Sequence, residues 1–120
     1  ENTNDISLVT FLTCNGVKFI FPGDLEGEGW GGMLSQPGFA DELNDVNIFV
    51  ASHHGRRNGY RADVMRLAAP NVVVMSDSPI NYATQETVNL YGSHCSGIEF
   101  NGEPRRVLTT RNDGSLTWRL

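Results

Sequence analysis

Two polar stretches carry residue types able to bind a metal ion, and each follows directly on an apolar run of strand length. Gly23-Asp24 closes the run Val17-Lys18-Phe19-Ile20-Phe21-Pro22, and Ser52-His53-His54-Gly55 closes Val46-Asn47-Ile48-Phe49-Val50-Ala51. Runs this rich in β-branched and aromatic residues read as strands. Two strands of one sheet ending on the same edge bring Asp24 to the histidines, although the two stretches lie far apart in sequence. Imidazole is the commonest nitrogen ligand for zinc, manganese and iron, and a carboxylate can bridge two cations. The same residues also have simpler roles. Asp24 can cap the turn that follows it, and the histidines can be one core ring beside one solvated ring.

Other polar residues fall near the same edge. Arg56 and Arg57 carry planar donor forks suited to a phosphate or carboxylate, or else they are solvated loop residues. Ser76, Asp77 and Tyr82 follow a third apolar run, where they either line a pocket or cap the next helix. Glu26 and Glu28 read as exposed loop acids rather than supports for a metal ligand. His94 and Cys95 have no partner at ligand spacing, and Trp30 and Trp118 read as core.

The elements that must position these residues follow from periodicity and turn chemistry. Asn15-Gly16 between apolar runs predicts a hairpin joining Ile6–Thr13 to Val17–Phe21, because Asn and Gly tolerate the positive φ of a type I′ turn. Short helices are expected over Trp30–Ser35 and Phe39–Leu43, separated by Pro37-Gly38. A buried strand is expected at Val46–Ala51, an amphipathic helix at Arg61–Ala68, a strand at Val72–Met75 and a helix at Asn81–Tyr91. Asn112-Asp113-Gly114 predicts a closing hairpin between Arg105–Thr110 and Ser115–Leu120. The sum is an α/β domain with a mixed sheet, helices on one face and hairpins at both ends.

At 120 residues the chain is one domain or part of one. Its net charge of −5 provides no global attraction for nucleic acid, so a polyanionic substrate requires a local patch or a metal. No apolar run approaches the ~20 residues of a membrane span, and the N-terminal residues do not resemble a signal peptide. Two cysteines without CxxC spacing argue against sulfur-bound structural zinc and favour a cytoplasmic setting. The expected C-terminal hairpin suggests a complete C-terminus. The immediate start before a strand suggests that a preceding part is missing.

Consecutive blocks of the chain resemble the metallo-β-lactamase superfamily. They are Asn4-Asp5-Ile6-Ser7-Leu8-Val9, Phe21-Pro22-Gly23-Asp24-Leu25-Glu26, Ala51-Ser52-His53-His54-Gly55-Arg56, the run from Pro70 through Ser76, and Thr109-Thr110-Arg111-Asn112-Asp113-Gly114. The nearest branch is the soluble hydrolase domain of DNA-internalisation competence proteins, in which "GD" and "HHG" recur in this order. The resemblance implies that residues 1–120 are the C-terminal half of an αββα sandwich. It further implies a hydrolase with two divalent metal ions, zinc foremost, in which a metal-bound hydroxide attacks a phosphodiester or related ester. Under it, Asp24 bridges the metals and a histidine of "HHG" binds the second. His54 is preferred with His53 lining the pocket, and the sequence leaves the choice between them open. Arg56, Arg57, Ser76 and Tyr82 are the substrate-binding candidates.

The chain departs from the family in three places. The His-x-His-x-Asp-His motif of the family's N-terminal half is absent, and His53, His54 and His94 are the only histidines. Arg56 stands where the branch usually has a small residue, and Ala83-Thr84 where it has His-Pro. Two protein ligands fall short of a usual site. The isolated chain is therefore expected to be inactive, with the absent half-domain or a second copy covering its sheet. The alternative is a non-catalytic binding or self-associating module that has lost the metal site.

Overall fold

A computed structural model describes residues 7–77 and 86–120. Asn15 (φ 49°) and Gly16 (φ 80°) form the expected turn between β1 (Thr10–Cys14) and antiparallel β2 (Val17–Phe21), with Cys14 opposite Val17. The chain then leaves the sheet through α1 (Gly27–Leu34) and α2 (Phe39–Leu43) and returns as β3 (Ile48–Val50), parallel to β2. Helix α3 (Ala62–Ala68) leads to β4 (Val72–Met75), parallel to β3. After α4 (Val88–Gly92) come a separate two-stranded hairpin, β5 (Ile98–Phe100) and β6 (Glu103–Arg105), and then β7 (Val107–Thr109), parallel to β4. A helical turn, α5 (Thr110–Asp113), follows β7. The main sheet runs β1-β2-β3-β4-β7, and the fold is mixed α/β.

The period-two alternation of the strands divides the core. Ile20, Phe49, Val73, Met75 and Val107 face the helices and meet Trp30, Leu43, Val64, Met65 and Tyr91. Phe19, Ile48, Val72 and Leu108 point to the opposite face, where Ile98, Phe100, Leu116 and Trp118 lie against them. Both faces of β3 are thus buried, as its continuous apolar run predicts. Fully burying a side chain the size of Phe49 contributes about 1.5–3 kcal/mol. Trp30 is 1% exposed, and its indole N–H donates to the Gly59 carbonyl at 3.0 Å, tying α1 to the loop after β3.

The closing hairpin is not formed. Thr109 Oγ1 accepts the Asn112 N–H at 3.2 Å, and the Asp113 carboxylate accepts the Thr109 N–H at 2.9 Å. Arg105 donates to both oxygens of Asp113, each at 3.0 Å. These side-chain bonds satisfy the backbone as a capped helical turn, which wins over the hairpin. Residues 115–120 carry no strand and lay Leu116 and Trp118 on the second face. The second hairpin instead turns at Asn101-Gly102 (φ 52° and 81°). Part of the helix expected at Asn81–Tyr91 lies outside the described residues. Among the described residues no helix is long and apolar enough to cross a membrane.

Candidate functional site

Because β2, β3, β4 and β7 run parallel, their carboxyl ends share one edge. Crevices outside such ends are where α/β sheets place functional groups. Asp24, His53, His54, Ser76, Asp77 and Thr110 all follow these ends.

The turn after β3 is unusual. His53 (φ 53°, ψ 43°), His54 (φ 58°, ψ 22°) and Gly55 (φ 87°) are three successive left-handed residues. For the two histidines this conformation costs roughly 1–2 kcal/mol each. Bonds to the loop after β2 hold the turn in place. The His53 N–H donates to the Gly23 carbonyl at 2.8 Å, while the fully buried Ser52 hydroxyl contacts the carbonyls of Leu25 and Gly23. The buried Thr87 hydroxyl donates to the Gly55 carbonyl from the other side. Residue types gave no prior indication of either hydroxyl, since a buried Ser or Thr has no distinguishing spacing.

The two histidines have different surroundings. His54 is exposed, donates from Nδ1 to the Ser76 carbonyl at 2.9 Å, and places Nε2 3.7 Å from Asp24 Oδ1. A carbonyl only accepts, so Nδ1 carries a proton, and in the neutral form of the ring that leaves the lone pair on Nε2. His53 is engaged at both nitrogens. Nδ1 lies 2.9 Å from Asn58 Oδ1 and 3.5 Å from Glu26 Oε2, and Nε2 lies 3.3 Å from the Arg56 guanidinium. Glu26 is therefore half-buried against His53 rather than a free loop acid, whereas Glu28 is exposed as expected.

The substrate-binding candidates separate. Arg56 turns inward to His53, and Arg57 stays exposed. Ser76 contributes its backbone carbonyl to His54. Its residue also borders an apolar cavity of about 330 Å³ on the second sheet face, lined by Phe19, Phe21, Val50, Val74 and Trp118. Tyr82 lies outside the described residues. Asp77 is 2% exposed and pairs with Arg111 at 3.2 Å. His94 lies away from this edge, 2.8 Å from the Tyr60 hydroxyl. Burial, assisted by the charge of Arg66, lowers its pKa.

Two donor atoms bound to one zinc at about 2.0–2.1 Å stand about 3.3 Å apart at the tetrahedral angle. The 3.7 Å between Asp24 Oδ1 and His54 Nε2 is close to that spacing. Among the described residues no group of three or more His, Cys, Asp or Glu side chains is placed to hold a metal ion. A pair of side chains is fewer than the three or four protein ligands that a zinc site uses. No protein-family model, curated protein or solved structure matches the chain.

Proposed function

We propose that this chain is the C-terminal half of a metallo-β-lactamase-type αββα sandwich and supplies part of a two-metal hydrolytic site acting on a phosphodiester or related ester. One observation carries the reading: the His54 ring donates from Nδ1 to a backbone carbonyl and turns Nε2 toward the Asp24 carboxylate. A histidine whose second nitrogen is tied to a carbonyl in this way is the usual form of a metal-ligating imidazole. Asp24 and His54 would hold the ions, zinc foremost. A bound divalent cation supplies Lewis acidity toward an ester or phosphoryl oxygen and makes water acidic enough to act as a nucleophile near neutral pH.

The chain's own residues have supporting tasks. Ser52 fixes the turn that carries His54, and the exposed guanidinium of Arg57 is available to an anionic substrate near the edge. His53, held by Arg56, Asn58 and Glu26, shapes the pocket without ligating. The remaining metal donors come from outside the described residues. In this reading they belong to the other half of the sandwich, whose sheet covers the apolar face around Phe19, Phe21 and Trp118. By itself the chain has little or no activity. The cavity on that same face favours a second reading, a self-associating or partner-binding module.

Zinc titration calorimetry tests the proposal. The chain is expected to bind zinc weakly, and Asp24→Asn or His54→Gln each to weaken binding about tenfold or more. Equal affinity in all three proteins overturns the assignment. If zinc binding is absent while light scattering shows concentration-dependent dimers, the second reading takes its place.

A further inference from the structure

The bond that sets the His54 proton position is itself held from a neighbouring strand. His54 Nδ1 donates to the Ser76 carbonyl, and the N–H of that same peptide unit, belonging to Asp77, donates to Thr110 Oγ1 at 2.8 Å. The Thr110 hydroxyl donates in turn to the Asp77 carbonyl at 2.7 Å. One side chain thus grips the Asp77 backbone on both sides. The register explains the meeting: Met75 pairs with Thr109 across β4 and β7, so Ser76-Asp77 and Thr110 leave the sheet side by side. The buried Asp77 carboxylate, paired with Arg111, ties the same two segments together.

Hydrogen bonds in series polarise one another. An amide whose N–H is bonded has a more strongly accepting carbonyl, and a peptide plane gripped at both ends does not rotate that carbonyl away. We propose that Thr110 is a positioning residue for His54, acting through the Ser76–Asp77 peptide to keep the proton on Nδ1 and the lone pair on Nε2 facing Asp24. The proposal rests on the reading of His54 as a ligand through Nε2. It extends that reading to a residue that touches neither His54 nor Asp24.

The test is nitrogen-15 NMR of the histidine rings in the whole metal-free chain, at a pH where the rings are neutral, followed by zinc titration. In the unsubstituted protein His54 is expected in the Nδ1–H form. Thr110→Val keeps the shape and puts a methyl group where Oγ1 meets the Asp77 backbone. This variant is expected to move His54 toward a mixture with the Nε2–H form and to weaken zinc binding about tenfold, while Thr110→Ser restores both. A folded Thr110→Val with an unchanged His54 tautomer overturns the proposal, as does an Nε2–H ring in the unsubstituted protein. Should Thr110→Val fail to fold, Thr110→Cys, with a much weaker hydrogen-bonding group, is read in the same way. A tautomer that responds to Thr110 in a protein that never binds zinc overturns the hydrolase reading and leaves the coupling standing.

Discussion

His54 Nε2 lies 3.7 Å from Asp24 Oδ1 because Ser52, two residues before His54, is bonded to the backbone on either side of Asp24. The two residues follow adjacent parallel strands, and parallel pairing alone brings only their backbones to one edge. Ser52 and the His53 N–H close the remaining distance by anchoring the turn after β3 to the loop after β2. The left-handed conformation of His53 and His54 is the cost of that anchoring, and strain of this kind collects at functional sites.

Ser52→Ala tests the anchor. Its hydroxyl is fully buried against two carbonyls, so removal takes this donor from the buried Leu25 carbonyl, while the Gly23 carbonyl keeps the His53 N–H. Urea denaturation is expected to show a loss of about 1–3 kcal/mol. A loss below about 0.5 kcal/mol, in the range of ordinary surface substitutions, would show that the turn is held by other means.

Two glycines should respond in opposite directions to alanine. A Cβ on Gly59 falls 2.6 Å from the Ser52 carbonyl oxygen, a backbone atom that cannot move without disturbing the His53-His54 turn. Gly59→Ala is therefore expected to destabilise the fold by about 1–3 kcal/mol, as overpacking does. Gly32, inside α1, has nothing within 4 Å of its would-be Cβ. There alanine is expected to stabilise by about 0.5–1 kcal/mol through helix propensity and lower unfolded-state entropy. Thermal melts of the two variants check the sign, and equal shifts would refute the packing account.

The third prediction concerns acid. Burial acts to raise the Asp113 pKa, but the Arg105 hydrogen bonds, the Thr109 N–H and the Arg105 charge together hold it below the usual carboxylate value. A depressed folded-state pKa contributes stability that is present above the unfolded value of about 3.9 and is lost as pH falls through the folded one. Melting temperatures measured from about pH 6 to about pH 3 should therefore fall less steeply for Asp113→Asn than for the unsubstituted protein. Parallel curves would remove Asp113 as a source of acid sensitivity.

Much of the sheet was legible locally. Asn15-Gly16 announced the first hairpin, and the valines of 72–74 announced β4, because turn chemistry and β-branched runs act over a few residues. Asn112-Asp113-Gly114 misled because its hairpin signature ignores Arg105. That side chain reaches Asp113 and, with Thr109, stabilises a helical turn. Asn101-Gly102 carried the same signature and did form a hairpin. Glu26 read as a loop acid because its contact with His53 crosses between two loops.

The sequence by itself determined that strands end at Asp24 and at the histidine pair, since apolar alternation and its termination are local properties of the chain. Only the tertiary structure decided that His54 turns Nε2 to Asp24 while His53 is occupied on both sides. The direction of a ring's hydrogen bonds depends on its partners. Those partners, Ser76 for one histidine and Arg56, Asn58 and Glu26 for the other, come together only when the parallel strands and the loops between them pack.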